Sequence, residues 1–349
     1  MGTAGEAGTC ARPPYDRPVP AAPSYDLPEA AIAQVPVEPR DAARLLVDRG
    51  PGVAPDHRTV ADLPSLIRPG DVLVLNETRV LPARLRLRKA TGGAVEVLLL
   101  EPEGDDRTWS ALVRPSAKVA VGARFEAGDD LTVEVGERRD GTRLVRLETD
   151  DVEAALQAHG EVPLPPYLHE GIADPERYQT VYATRPGSVA APTAGLHLTP
   201  EVLARCEAAG AEIHRLDLTV GLGTFKPVTA ERVEDHEVHE EPYAVPEATM
   251  AACEAAERVV AVGTTTVRAL ETAAATGQLS GRSRLLIHGA YEWRAVDALV
   301  TNFHMPHTTL LLLVESFVGP HWRDLYATAL AEGYRFLSFG DAMFLERKR

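Results

Sequence analysis

The chain has 349 residues, 45% of them hydrophobic and 25% charged, which is typical of a globular protein with one large or two ordinary domains. It contains no apolar run of eighteen residues and no leader-like N-terminus, so we expect neither a membrane span nor a secretory signal. Its three cysteines, Cys10, Cys206 and Cys253, are too scattered for a disulfide framework or a zinc cage. We therefore expect a cytoplasmic monomer without a metal.

The net charge of −15 disfavours nucleic-acid binding on average. Residues 79–124 are an exception, with nine Lys/Arg and five Asp/Glu, a local charge of +4 against −19 elsewhere. The sequence therefore predicts that a polyanion would dock on this segment.

The N-terminal part of the chain changes character at Tyr25. Residues 1–24 are rich in Ala, Pro and Gly and are predicted to be disordered. A short helix with a proline in its first turn is predicted at 27–33, followed by strands at 44–47 and 71–75.

Short alternating runs follow, separated by Gly, Pro and Asp clusters. The predicted strands are 84–88, 93–100, 109–113, 124–125, 131–135 and 144–147. Their close spacing predicts a small β-barrel domain at 77–150, inserted into a layered α/β main domain formed by 25–76 and 151–349.

In the rest of the chain, helices alternate with strands, as in α/β folds. The predicted helices are 200–210, 246–258 and 264–275, and the predicted strands are 213–220, 259–262, 285–287 and 298–300. The apolar run 310–314 suits a buried strand or a short helix.

The segment 259–268 reads as a strand, a turn and a helix start. Unsatisfied backbone N–H groups at such a start attract anions, and they belong here to Gly263, Thr264, Thr265 and Thr266. Arg268 could hold a ligand carboxylate with two hydrogen bonds. An ordinary capped helix with an exposed arginine is the competing interpretation.

Other candidate ligand contacts follow predicted strands. Gly221 and Gly223, with Thr224 beside them, permit close approach of the backbone to a ligand, although a simple turn is as good an explanation. Two polar clusters set a hydroxyl or an amide near a histidine, Thr193 with His197 and Asn302 with His304. Ligands of α/β sheets gather at such strand ends, whereas a structural hydrogen bond would equally explain each histidine.

His236, His239 and Glu241 form the most metal-like cluster. The two histidines are one residue too close for the zinc-protease motif, and prolines bracket the stretch. We therefore expect the histidines to orient a polar substrate.

Arg84, Arg86 and Arg88 alternate with leucines, so a strand would place all three on one face. Arg79 and Lys89 extend this row. Its spacing of about 7 Å resembles that of phosphates along a nucleic-acid strand, which favours RNA contact over a solvated face.

Taken together, these segments resemble one family, the S-adenosylmethionine:tRNA ribosyltransferase-isomerases of queuosine biosynthesis. The matching stretches are 25–28, 75–85, 92–97, 178–182, 190–197, 220–225, 236–241, 262–268, 296–304 and 339–343. The resemblance implies an α/β domain with an inserted barrel, S-adenosylmethionine as ribosyl donor, and 7-aminomethyl-7-deazaguanine in the tRNA anticodon as acceptor. Epoxyqueuosine, adenine and methionine would be the products, and no metal is implied.

The expected chemistry needs a base, an acid and a carboxylate clamp. We nominate His197 or His304 as base, Asp297 or Glu241 as acid, and Arg268 with the preceding turn as clamp.

Three alternatives remain open. Thr219, Gly289 and Glu315 depart from the usual family residues, which permits a free deazapurine or another small amine as acceptor. A metal-dependent hydrolase could use the histidine cluster, and a non-catalytic RNA-binding module could use the arginine row.

Overall fold

Two large β-sheets carry the fold in the computed structural model, which describes residues 22–221, 230 and 232–347. The first contains, in spatial order, β16 (Ser280–Ser283), β14 (Glu241–Ala244), β13 (Glu212–Leu218), β3 (Asp71–Asn76), β15 (Arg258–Val262), β17 (Ala298–Asn302), β18 (Ala342–Glu346), β1 (Arg44–Val47) and β2 (Asp56–Thr59). Strands β13, β3, β15 and β17 are mutually parallel, so their carboxyl ends meet at one edge.

Helices cover both faces of this sheet. They are α2 (Pro200–Ala208), α3 (Glu247–Ala255), α4 (Thr264–Thr276), α5 (Thr309–Val318) and α6 (Trp322–Ala331). Val72 and Val74 of β3 pack in the core that contains α3 to α6, whereas Leu73 and Leu75 pack in the core that contains α2. This alternation follows from the period of two in a strand and explains why β3 is apolar throughout.

The second sheet is antiparallel and has seven strands. Its order is β11 (Gly160–Glu161), β5 (Arg84–Arg88), β6 (Ala94–Pro102), β7 (Thr108–Arg114), β10 (Thr142–Glu148), β9 (Leu131–Arg139) and β8 (Ala123–Ala127). Helix α1 (Val152–His159) packs on its core, and β4 (Thr78–Val80) pairs separately with β12 (Arg185–Ser188). In the described residues the end strands β11 and β8 are not hydrogen-bonded to each other, so the closed barrel is not confirmed and its domain bounds stay a prediction.

Two local predictions are wrong. Residues 285–287 form no strand; β16 lies just before them, and Ile287 is instead buried in the main core. The helix near Pro28 is a single 3-10 turn, Glu29–Ala31, with Pro28 as its N-cap. The run 310–314 lies in α5, and none of the described helices is long and apolar enough to cross a membrane.

The first 24 residues are only partly described. Ala22 is buried against Val233 and Leu312, and the Ser24 hydroxyl lies 2.9 Å from His307 Nε2. The described structure thus includes residues 22–24, whereas residues 1–21, where most of the predicted disordered tail lies, are outside the described part.

Candidate active site

A cavity opens at the carboxyl ends of β15 and β17, where the parallel strands stop. Six predicted ligand contacts line it, namely Thr193, Gly263, Thr264, Thr265, Asn302 and His304. These residues come from three segments far apart in sequence. The ends of β15 and β17 bring two of them together at one edge of the sheet, and the Thr193 hydroxyl, from the third segment, bonds Asn302.

Asn302 is held on both sides at the end of β17. Its Oδ1 accepts from the Thr193 hydroxyl at 3.0 Å, and its Nδ2 donates to the Leu337 carbonyl at 3.0 Å. Leu337 lines the cavity in a left-handed conformation, with φ of 69°. A non-glycine residue persists there only when its surroundings impose it, so this wall is preorganised.

His304 is the buried histidine of the cavity. Its Nε2 lies 2.9 Å from the Thr301 hydroxyl, and its backbone is fixed by the hydroxyls of Tyr326 and Tyr25 at 3.0 and 2.6 Å. Burial lowers the pKa of His304 to about 3. The imidazole is therefore neutral at physiological pH, the form that can accept a proton.

Helix α4 begins at the cavity. Gly263 is its N-cap with φ of 90°, a conformation that favours glycine. Thr264 and Thr265 line the wall, and Thr265 Oγ1 accepts from Asn76 Nδ2 at 3.2 Å. The Thr266 hydroxyl instead donates to the Val262 carbonyl at 2.7 Å, and Thr266 is fully buried and does not line the cavity.

Arg268 lies one turn further along α4, beside a second, adjoining cavity. The two cavities share Leu310, and the second is also lined by His236 and His239. Arg268 Nη1 forms an ion pair with the buried Glu241. In the described part of the chain its Nη2 is buried without a hydrogen-bond partner, and an unsatisfied buried donor is costly.

Glu241 connects two segments that are predicted to bind the ligand, the glycine segment at Gly221 and helix α4. It does not line the first cavity. Its Oε1 accepts from the Gly221 backbone N–H at 3.0 Å, and its Oε2 bonds Arg268. The carboxylate thus positions both the arginine and the start of the glycine segment. Gly223 and Thr224, predicted to touch the ligand, lie outside the described residues.

Comparison with known proteins shows the family of the chain. The family described as queuosine biosynthesis protein matches residues 22–345. The chain belongs to this family. A relative from Rubrobacter xylanophilus named S-adenosylmethionine:tRNA ribosyltransferase-isomerase is 53% identical over 323 residues, covering 92% of this chain and 96% of the relative. One of the same name from Gloeobacter violaceus is 52% identical over 335 residues, covering 92% and 94%.

A solved structure also matches this chain. The crystal structure of S-adenosylmethionine tRNA ribosyltransferase from Thermotoga maritima is 36% identical, with a TM-score of 0.53, covering 92% of this chain and 98% of that one. The fold described here is therefore similar to that of a solved member of the queuosine biosynthesis family.

Two nominated residues lie away from the cavity of this family member. His197 is buried between carbonyls, with Nε2 2.8 Å from Gly340 O and Nδ1 3.2 Å from Ala194 O. It ties two loops together and does not line the cavity. Asp297 lies at the opposite end of β17 from Asn302, where its Oδ2 accepts from the Val259 N–H at 3.0 Å. Five strand residues span about 16 Å, so Asp297 cannot serve as acid at this cavity.

The histidine cluster does not assemble a metal site in the described residues, where no three His, Cys, Asp or Glu side chains could hold a metal ion. His236 and His239 instead line the cavity beside Arg268. Burial, with His239 close by, lowers the pKa of His236, which favours a neutral imidazole there.

The arginine row has the predicted alternation. Leu85 and Leu87 are buried, while Arg86 and Arg88 are exposed. Ion pairs already engage part of the row, since Arg86 Nε lies 2.8 Å from Glu161 and Arg79 pairs with Glu176. Lys89 donates to the Lys118 carbonyl.

Sequence analysis missed several cavity residues. Tyr167, Leu337 and Ser338 come from loops without a recognisable motif, and the Tyr167 and Ser338 hydroxyls lie 2.6 Å apart. Thr301, by contrast, precedes Asn302 in a stretch already recognised, and its position at a strand end would have identified it.

Burial of His304 predicts acid sensitivity. An unfolded histidine has a pKa of about 6.5, so below that pH the unfolded chain binds a proton that folded His304 refuses until about pH 3. Stability should fall with pH by up to about 1.4 kcal/mol per unit from this residue. Thermal unfolding from pH 7.5 to 5 should show a shallower slope for His304→Gln than for wild type. Equal slopes would contradict the buried neutral imidazole.

Proposed function

We propose that this enzyme transfers and isomerises the ribosyl group of S-adenosylmethionine onto 7-aminomethyl-7-deazaguanine in the tRNA anticodon. Epoxyqueuosine-tRNA, adenine and methionine are the products. The observation that carries the proposal is near-full-length similarity to relatives named for this activity. The gathering of the predicted donor contacts at one cavity supports it.

The donor spans the two adjoining cavities. Its nucleoside occupies the first, where Thr193, Thr264 and Asn302 supply hydroxyl and amide groups. Its amino-acid carboxylate reaches Arg268, whose buried Nη2 has no partner in the described residues. His236 and His239 line the same end. This pose satisfies the unpaired guanidinium N–H with a charge-assisted hydrogen bond.

The reaction begins with proton removal. The donor sulfonium acidifies the neighbouring C5′–H, and His304, which lines the cavity, is the group we assign to accept that proton. The carbanion breaks the C4′–O4′ bond, O4′ becomes the C1′ carbonyl oxygen as the bond to adenine breaks, and adenine leaves with the proton that His304 accepted. The acceptor amine then attacks the sugar, and methionine departs as the epoxide closes. Glu241 positions Arg268, because both of its oxygens already accept hydrogen bonds.

The antiparallel sheet supplies the RNA contacts. Arg84, Arg86 and Arg88 lie on one face of β5, and the exposed Arg86 and Arg88 would neutralise phosphates. The enzyme acts as a cytoplasmic monomer, in a compartment where the buried thiols Cys206 and Cys253 stay reduced.

The alternative acceptor, a free deazapurine or small amine, finds less support because the relatives' names specify tRNA. Glu315, one of the departures, accepts hydrogen bonds from Trp322 Nε1 at 2.9 Å and Arg323 at 3.0 Å. A structural role therefore accounts for it.

Incubation of the enzyme with S-adenosylmethionine and tRNA carrying the aminomethyl-deazaguanine should release adenine in proportion to modified tRNA. The same tRNA with guanine at that position lacks the amine nucleophile and serves as the control. Donor binding without adenine release on any deazaguanine acceptor would overturn the proposal.

The arginine row predicts a salt effect. Replacing Arg84, Arg86 and Arg88 together with Ala should weaken tRNA binding and reduce the slope of log K against log salt by about two units. The reduction stays below three because Arg86 is already paired with Glu161. Affinities across a salt series measure it, and donor binding should not change. An unchanged slope would place RNA docking elsewhere.

A further inference from the structure

A third cleft lies between the two sheets, on the outer face of β5, β6 and β7. Its floor is apolar, formed by Leu98 and Leu112, which are cross-strand neighbours. Arg84, Glu96 and Arg114 line the same cleft. The opposite wall is the proline-rich segment 163–166 with Val189 and Ala190.

This cleft adjoins the donor cavity at two places. Pro166 and Ala190 line the cleft, and the next residues, Tyr167 and Ala191, line the donor cavity. Consecutive Cα atoms are about 3.8 Å apart, so the two spaces lie next to each other. The second of these walls is held by Val189 N–H, which donates to Val220 O at 3.2 Å.

Two charged side chains in the cleft have unused hydrogen-bonding capacity. Arg84 Nε is buried and, among the described residues, has no hydrogen-bond partner. It lies 3.9 Å from Glu96 Oε2, too far for a hydrogen bond. The cleft thus presents a carboxylate acceptor beside a guanidinium donor, above an apolar floor.

We propose that this cleft binds the acceptor nucleotide by its guanine-type edge, an inference that rests on the proposed function. Guanine and its 7-deaza analogues place the acceptor O6 beside the donors N1–H and N2–H₂. Glu96 accepts from the two donors and Arg84 donates to O6. The base packs on Leu98 and Leu112, and the exposed Arg114 contacts its phosphate.

Recognition of the base by Glu96 explains why a carboxylate lies on a sheet face that otherwise carries arginines suited to phosphate binding. Glu96 stands directly between Arg86 and Arg114 in the strand register. An acidic residue there weakens general RNA attraction, and recognition of two base N–H groups compensates for that loss.

The test uses an RNA hairpin with the anticodon loop, carrying guanine, inosine or adenine at the acceptor position, and fluorescence anisotropy without donor. Inosine lacks the 2-amino group, so wild type should bind the guanine hairpin at least about tenfold more tightly. Glu96→Ala should bind guanine and inosine hairpins equally. The control Glu134→Ala, on β9 and paired with Arg124 at 3.0 Å, should keep the preference.

Three results would overturn the assignment: no preference in wild type, a preference for adenine, or a guanine preference that survives Glu96→Ala. The adenine-release assay distinguishes failure of the cleft assignment from failure of the proposed function. Wild type that releases adenine while Glu96→Ala keeps its base preference refutes the cleft alone. Wild type that releases none refutes the proposed function whatever the hairpins show.

Discussion

Arg268→Lys should weaken binding of S-adenosylmethionine by about 10- to 100-fold. Lysine keeps a positive charge beside Glu241, so the buried carboxylate retains a partner. It cannot present the second, fixed N–H that Arg268 Nη2 offers to the donor carboxylate. Loss of one charge-assisted hydrogen bond costs about 1.5–3 kcal/mol. Calorimetric titration with the donor measures the change.

Arg284→Lys is the matched control, because Arg284 is largely exposed and pairs with Glu240 beside the same segment. Its donor affinity should equal that of wild type. Thermal unfolding of Arg268→Lys establishes that the variant is folded. A folded variant with wild-type donor affinity would remove Arg268 from the donor site.

Gly340→Ala should destabilise the enzyme by about 3 kcal/mol or more. A Cβ at this position would lie 2.4 Å from Arg335 O and 2.5 Å from Phe336 C. Both are backbone atoms, which cannot rotate away as a side chain could. The loop must therefore move, and it carries Leu337 and Ser338 of the cavity wall. Differential scanning calorimetry should show a melting temperature lower by roughly 4 °C or more.

Gly93→Ala provides the comparison, since its nearest contact is the flexible Lys89 side chain at 3.6 Å. Its stability should stay close to that of wild type. Gly340→Ala should in addition bind the donor more weakly in the folded fraction. A variant as stable as wild type would show that the loop absorbs the extra methyl group.

Much of the fold was predictable because local patterns decide it. The alternation in β5 and the apolar run of β3 predicted strands at the observed places. The prediction of a strand at 285–287 was wrong because an apolar triplet forms a strand only where a neighbouring strand offers backbone hydrogen bonds. Closure of the barrel could not be predicted from the sequence either, because it depends on the relative positions of two strands that are distant in sequence.

The residues of the candidate site likewise divide into those that local sequence patterns predict and those that depend on tertiary packing. Residues at strand ends, such as Asn302 and Gly263, were predictable because parallel strands bring their ends together. His197 resembled His304 in sequence, and only packing shows that carbonyls surround both of its nitrogens. Asp297 immediately precedes β17 and Asn302 ends it, so proximity in sequence concealed their separation along the strand.

In the proposed donor pose, helix α4 also limits how long the donor molecule can be. Thr264 at its first turn faces the nucleoside space, and Arg268 four residues later faces the amino-acid space. Four residues of helix rise about 6 Å, a distance set by backbone hydrogen bonds that no side-chain movement can change. The rise of the helix therefore sets the spacing between the contacts to the donor's ribose and to its carboxylate. A donor with this chain shortened by one methylene group should therefore bind more weakly than S-adenosylmethionine.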